Sequence, residues 1–325
     1  MSSSRRYRIQ GILGSGGFGT VYKARLLPNG TEAFAIKVPN LDPVQHRDVF
    51  RRLWNEAQVL RQVNHRAVVK VEHLALLNDD WCLIMEYIPG IPVTEIIRKR
   101  PIPPWVALHI VGEIAGALHV AYHTKGEGDT AIQLLHRDVK PSNIMVTPSG
   151  ASRILDFGIA RAKLEGLEYS TASMHFGSLG YMAPERLVGA SHPSADVYSL
   201  GVVFFEMLSR KRLGKTSSKR LVHEQRLQVA RKMVAAKVGE MSSPWGERVL
   251  SLIFEMLAFH PKERLTHLQV HQRCAALLAE VSAPPLRDWS REALSPLLRD
   301  LETLATQELE ASTVDPIWIE KKVLR

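Results

Sequence analysis

The 325-residue chain predicts an α+β fold of two lobes, the first strand-rich and the second helical. Two observations carry this. Up to about residue 90, apolar and β-branched runs are short and separated by glycine or Asn-Gly punctuation, the pattern of strands and hairpins. From about residue 100, apolar residues recur at intervals of three and four, the pattern of amphipathic helices. Strands followed by helices segregate into two bodies with a cleft between them. Composition agrees: 45% of residues are hydrophobic and 23% charged, close to the globular average, which excludes disordered, collagenous and coiled-coil chains. Lys+Arg exceed Asp+Glu, 42 against 33, for a net charge of +9. That balance admits nucleic acid, anionic lipid or phosphate partners and selects none of them. The two cysteines, Cys82 and Cys274, are far apart and lack metal-ligand spacing, which points to a reducing compartment.

The expected strands cover 8–13, 20–26, 32–38, 69–77 and 81–86. Pro28-Asn29-Gly30 between the second and third is a hairpin signal. One helical pattern interrupts them over 48–63, with Phe50, Leu53, Ala57 and Leu60 on one face. Helices are expected at 104–122, 193–209, 221–236, 245–257 and 266–280. After Pro284-Pro285, Leu294, Leu297, Leu298, Leu301 and Leu304 mark an amphipathic helix over 293–310, read as cover for an apolar patch of the molecule itself, or else as a partner-docking or regulatory tail. Between 211 and 220 lie Lys211, Arg212, Lys215, Lys219 and Arg220: a solvated loop, or a docking patch for an acidic partner. No signal-peptide pattern follows the basic start. The longest apolar run, 202–205, is far short of the roughly 18–20 residues of a membrane span, so no membrane span and a cytoplasmic location are expected.

Leu13-Gly14-Ser15-Gly16-Gly17-Phe18-Gly19-Thr20-Val21 holds a G-x-G-x-x-G run. Such glycines let backbone N–H groups approach phosphate oxygens, although glycines also mark plain turns. In a dinucleotide-binding unit they would open a helix. Here Thr20-Val21-Tyr22 reads as a strand, so the loop joins antiparallel strands and folds over a nucleotide. Eighteen residues on comes Ala35-Ile36-Lys37-Val38. Lys37 in an apolar strand is either an edge lysine facing solvent or an ammonium held by an anion. Glu56, on the helix of this lobe, supplies that anion and directs Lys37 toward the α- and β-phosphates.

His136-Arg137-Asp138-Val139-Lys140-Pro141-Ser142-Asn143 puts a carboxylate, a lysine and an amide in one loop. Asp156-Phe157-Gly158, Ala183-Pro184-Glu185 and Asp196-Val197-Tyr198-Ser199-Leu200-Gly201 follow in order. On this ordered set of motifs the chain resembles the protein kinase superfamily over residues 7–280, with lobes of about 7–88 and 89–280 and a tail of 281–325. Lys140 is the serine/threonine version of the loop, and the style is similar to bacterial eukaryotic-like Ser/Thr kinases.

The resemblance implies a two-lobed protein kinase-like fold and ATP-dependent phosphorylation of protein Ser/Thr hydroxyls. Asp138 would accept the hydroxyl proton, Lys140 would neutralise the transferring γ-phosphoryl, and Lys37 with Glu56 would set the triphosphate. Asn143 and Asp156 would hold Mg²⁺, with Mn²⁺ a substitute. Nucleotide contacts fall to Leu13, Gly14, Ser15, Gly16, Gly17, Phe18, Gly19, Val21, Ala35, Lys37 and Met145, to Met85 behind the adenine, and to the hinge Glu86-Tyr87-Ile88. Leu60, Val71, His136 and Phe157 would form a stacked apolar spine. Arg137 would pair with a phosphorylated residue of the activation segment, Ser170, Thr171 or Ser173, and trans-autophosphorylation implies a homodimer. Glu185 would bridge to Arg264.

Several positions depart from the family pattern. Ser178 replaces a threonine whose hydroxyl bridges Asp138 and Lys140. Residues 125–130 lengthen the connection before His136, and 211–220 replace a shorter turn. Ser142 stands where members preferring basic substrates carry glutamate, which favours neutral or acidic substrate surfaces. A scaffold without turnover usually lacks one of Lys37, Glu56, Asp138, Asn143 and Asp156, all present here. A small-molecule kinase is disfavoured by Ala183-Pro184-Glu185. No DNA- or RNA-reading motif accompanies the charge, so no nucleic-acid partner is expected.

Overall fold

The computed structural model describes residues 5–16, 19–28, 30–39, 57–78, 80–126, 131–157, 178–238, 244–310, 312 and 314–321. The chain forms two compact units. The first comprises residues 1–63, 69–89 and 295–325, the second 64–68 and 90–294.

The first unit is a closed barrel of strands in the order β1-β2-β3-β5-β4-β9. They are β1 (Arg6–Gly16), β2 (Gly19–Leu27), β3 (Ala33–Val38), β4 (Val71–Leu77), β5 (Asp80–Glu86) and β9 (Ile317–Lys321). The first five answer to the expected strands, with ends moved by one or two residues. Alternation sets their facing: Tyr7, Ile9, Ala24, Ile36, Ala75, Leu77, Cys82 and Ile84 fill one buried cluster, as a period of two requires. Residues 57–62 are helical, and Ala57 and Leu60 on them are buried; the helix ends before Val63, and residues 48–56 of the expected 48–63 lie outside the described residues.

Strand β9 lies outside the strands that the sequence pattern predicts. It pairs antiparallel with β1, Tyr7 opposite Trp318, and with β4, Leu77 opposite Glu320. Closing the barrel leaves neither β1 nor β4 an open edge. The sequence hides it because Ile317-Trp318-Ile319 shows no polar alternation and is too short to outweigh the helical pattern before it.

The second unit holds a small sheet of β6 (Ile91–Pro92), β7 (Ile144–Val146) and β8 (Ser152–Ile154). Its helices are α1 (Val93–Lys99), α2 (Pro104–His123), α3 (Ser194–Ser209), α4 (Arg220–Val238), α5 (Pro244–Met256) and α6 (His267–Glu280), followed by α7 (Leu286–Glu310) through Leu294. Helix α7 starts seven residues before the expected 293, its first turn burying Leu286 and then Ser290, Ala293 and Leu294. Helix α3 is buried from Ser194 to Leu208, as a helix apolar on every side must be. Helix α6 opens on a capping box: Gln269 N–H donates to the Thr266 hydroxyl and Thr266 N–H to the Gln269 side chain. Helices α2 and α6 approach so closely that a Cβ on Gly112 would lie 2.9 Å from Cβ of Cys274.

Helix α2 is long and apolar enough to suit a membrane span by length and composition, which a search for one unbroken apolar run overlooks. Two thirds of that window (67%) is buried inside the protein, the condition of a core helix.

Candidate active site

The first unit carries all of the expected nucleotide-binding residues but Met145. Strands β1 and β2 form the glycine-rich hairpin, with Gly14 opposite Val21, Ser15 opposite Thr20 and Gly16 opposite Gly19. The Ser15 and Thr20 hydroxyls lie 3.1 Å apart across it; Gly17 and Phe18 are outside the described residues. Gly19 has φ +137, and a Cβ there would sit 2.1 Å from the Val38 carbonyl oxygen. Backbone conformation and close approach both demand glycine.

Register brings Val21, Ala35, Lys37 and Met85 to one face of the sheet. Val21 pairs with Lys37 and Lys23 with Ala35; across β3, Lys37 pairs with Leu83 and Ala35 with Met85. Paired residues share a face, and so do residues two apart on a strand. Val21, Lys23, Ala35, Lys37 and Met85 therefore line one face, opposite the core residues Ile36 and Ile84. Ala35, Met85 and Ile88 are buried, while Leu13 is exposed. The Glu86 carboxylate accepts from Lys70 N–H at 2.6 Å and Glu86 N–H donates to the Lys70 carbonyl at 3.0 Å, which pins the start of the segment 86–88. Glu56 lies outside the described residues.

In the second unit Asp138, Lys140 and Asn143 lie together around one loop. Lys140 Nζ is 2.8 Å from Asp138 Oδ2. Asn143 Nδ2 donates to the Asp138 carbonyl at 2.9 Å and to Oδ2 at 3.2 Å, so its own side-chain oxygen is not used in these contacts. The turn Pro141–Asn143 folds Asn143 back over the loop. Strands β7 and β8 pair Ile144 with Ile154, and Leu155 N–H donates to the Asn143 carbonyl at 2.8 Å. That hairpin brings Asp156 to the end where Asn143 stands. Met145, opposite Arg153 on the same hairpin, is half-buried.

Arg137 and Asp156 have φ +64 and +54. A non-glycine residue held there costs on the order of 1–3 kcal/mol, so the surroundings must impose it. For Arg137 the restraints are visible. Asp196, buried at the start of α3, accepts from His136 N–H at 2.7 Å and from Arg137 N–H at 2.9 Å. The Arg137 carbonyl accepts from the Arg186 guanidinium at 2.6 Å. His136 is wholly buried; desolvation pulls its pKa down against the attraction of Asp196. Neutral, it donates through Nε2 to the Leu155 carbonyl at 2.8 Å and accepts at Nδ1 from Asp138 N–H at 3.2 Å. Its ring meets that of Phe157 at 4.6 Å. Thus Asp138 and the strand end leading to Asp156 are tied to one imidazole.

Glu185 and Arg264 form the expected bridge, bidentate at 2.6 and 2.7 Å. The guanidinium, 0% exposed, also donates to the Ala258 and Phe259 carbonyls. The roles of Asp196 and Arg186 were not read from the sequence: both struts act on backbone atoms, which no side-chain motif reveals.

Residues 158–177, with Gly158, Ser170, Thr171 and Ser173, lie outside the described residues, as do 127–130 and the hydroxyl of Ser178. The lengthened connection is closed at its base by a bridge from Lys125 to Ala131. The five basic residues of 211–220 are all exposed, as a solvated loop requires; the Arg212 guanidinium also donates to the Tyr181 hydroxyl and lies 3.8 Å from the Glu206 carboxylate.

A family model described as "Protein kinase domain" matches residues 7–274. The serine/threonine-protein kinase PrkC of Bacillus subtilis (strain 168) is 33% identical over 208 residues, 63% of this chain and 31% of PrkC. The serine/threonine-protein kinase PknA of Mycobacterium tuberculosis is 33% identical over 216 residues, 64% of this chain and 48% of PknA. The chain thus spans less than half the length of these curated relatives. The crystal structure of the Mycobacterium tuberculosis PknI kinase domain matches with a TM-score of 0.58 at 23% identity, over 84% of this chain and 95% of that one, a likeness of fold. Since the matched family model runs through both units and takes in the hairpin, the loop around Asp138 and the Glu185–Arg264 bridge, the chain belongs to the protein kinase domain family.

Proposed function

We propose that the protein transfers the γ-phosphoryl group of ATP to serine or threonine hydroxyls of protein substrates. The observation that carries this is the cluster of Asp138, Lys140 and Asn143, joined by direct hydrogen bonds and held by the neutral His136. Asp138 accepts the proton of the attacking hydroxyl and aims its oxygen. Lys140 balances charge that builds on the transferring group, where preorganised charge contributes most to the rate. The donor chemistry suits magnesium: Asn143 and Asp156 offer oxygen, which a small hard cation prefers, with phosphates and water completing its shell. Bound there, Mg²⁺ supplies charge neutralisation on the phosphate oxygens. In the first unit Lys37, Val21, Ala35 and Met85 share the face assigned to the nucleotide, and Gly19 lets the hairpin backbone come close to phosphate.

Arg137 fits a second part of the proposal, autophosphorylation of the activation segment at Ser170, Thr171 or Ser173. Its backbone is held on both sides, by Asp196 at the N–H and by Arg186 at the carbonyl, so the base of its side chain is fixed before any phosphate arrives. Phosphosite mapping after incubation with ATP and Mg²⁺ tests this; modification confined to residues outside 156–185 would remove its basis.

The transfer itself is tested with radiolabelled ATP and a generic protein substrate. Wild type is expected to incorporate label, and Asp138→Ala to lose about 10²-fold or more of the rate. Equal incorporation by the two proteins would rule the proposal out.

A further inference from the structure

Residues beyond 274 fall outside the matched family model, yet the segment from Ser295 onward belongs to the first unit. Its attachment is specific. Helix α7 lies against β1 so closely that a Cβ on Gly11 would meet Ala305 at 3.1 Å. Leu309 and Trp318 pack on the barrel's buried cluster, and the Trp318 ring meets that of Tyr22 edge-on at 4.9 Å. Beyond the helix, Ile9 N–H donates to the Pro316 carbonyl at 2.8 Å and Glu320 N–H to the Arg5 carbonyl at 2.8 Å. Both ends of the segment are therefore fixed to the barrel.

Between those anchors α7 delivers one carboxylate. Glu302 Oε1 lies 2.6 Å from Lys23 Nζ and accepts from the Tyr87 hydroxyl at 3.0 Å. Lys23 Nζ in turn sits 4.4 Å from the centre of the Tyr87 ring. Lys23 shares the sheet face of Val21, Ala35 and Met85, and Tyr87 lies between Glu86 and Ile88 in the segment assigned to adenine. The hydrogen bond from Lys23 holds the Glu302 carboxyl below its ordinary range. Burial, then the charge of Glu302, push the Tyr87 phenol up, so it keeps the proton it donates.

We propose that Glu302 is a positioning residue for nucleotide binding: from outside the family core it ties the second strand of the glycine-rich hairpin to the segment 86–88, and so sets the nucleotide affinity. The inference rests on the nucleotide reading of these residues. A carboxylate with one partner on β2 and the other in the segment after β5 fixes their spacing, whereas a lysine and a tyrosine alone would hold one another only by cation–π attraction.

The test uses the full chain. MgADP affinity is measured by calorimetry, with steady-state kinetics toward ATP and a protein substrate, for wild type, Glu302→Ala, Tyr87→Phe, the double variant, and Glu308→Gln as an exposed change of charge on the same helix. Glu302→Ala is expected to raise Kd for MgADP and KM for ATP about fivefold to tenfold, leaving kcat and KM for the protein substrate within about twofold. Tyr87→Phe should weaken binding in the same sense, and the double variant should fall short of the product of the two, since both act through one contact. Glu308→Gln should match wild type. Wild-type affinity in both Glu302→Ala and Tyr87→Phe, or a loss spread equally over all kinetic constants with a lowered Tm, would overturn the inference while leaving the proposed function standing. A wild-type chain that binds no nucleotide would overturn both.

Discussion

Among single residues, the sharpest expectations concern groups whose partners are charged and buried. Arg264 lies against Glu185 with no exposure of its side chain. Arg264→Ala leaves the Glu185 carboxylate, itself 9% exposed, without its cation, and should cost about 3–5 kcal/mol. Urea unfolding measures it; a change under about 1 kcal/mol would mean the site relaxes to admit water. Gly19→Ala meets both a left-handed backbone and the Val38 carbonyl, so β2 must shift away from β3. A lowered Tm together with weakened nucleotide binding is expected, and unchanged binding would show that the hairpin tolerates the displacement. Lys37→Met is the complementary case: under the electrostatic role proposed for it, transfer should fall about 10²-fold or more while the Tm stays near wild type. Near-normal turnover would contradict that role.

At the scale of elements, the sheets explain more than the motifs. The motif Ala35-Ile36-Lys37 acquires meaning from register: one residue of slip between β2 and β3 would turn Lys37 into the core and Ile36 out. The same holds for β7 and β8, whose pairing carries Asn143 and Asp156 to one end. Strand β9 makes the clearest prediction. Trp318→Ala removes the ring that meets Tyr22 and should destabilise the first unit by about 2–3 kcal/mol. Removal of residues 311–325 reopens the edges of β1 and β4, and increased association is expected on light scattering. If truncation left both Tm and solubility unchanged, the barrel closure would be energetically idle. The helix expected over 293–310 was legible by its leucines, but its true start at 286 was not. Pro284-Pro285 and an Arg-Asp pair look like linker until Leu286, Ser290 and Leu294 are seen to share the face buried in the second unit.

For the molecule as a whole, buried histidines in the second unit set the acid limit of stability. Burial lowers the pKa of His136 and His223 and brings that of His267 down to about 4. In the unfolded chain these rings take up protons near pH 6.5. The folded protein resists doing so, so its stability is fully present above about 6.5 and declines as pH falls from there toward about 4. For His267 alone the loss amounts to about 3 kcal/mol. Thermal melts across pH 4–8 check this, and a Tm rising on acidification would contradict it. Sequence by itself determined the family, the order of the strands up to residue 86 and the helices of the second half, and it singled out Asp138, Lys140, Asn143, Asp156 and Lys37 as candidates, because motif residues occur at set spacings whatever surrounds them. Tertiary structure alone decided that Asp196 and Arg186 hold the loop backbone, that His136 is neutral, that α2 is a core helix, and that the last segment completes the first barrel and brings Glu302 to Lys23 and Tyr87. Apart from those of His136, these contacts join residues 49 or more positions apart, and nothing in local periodicity records which distant surfaces burial will bring together.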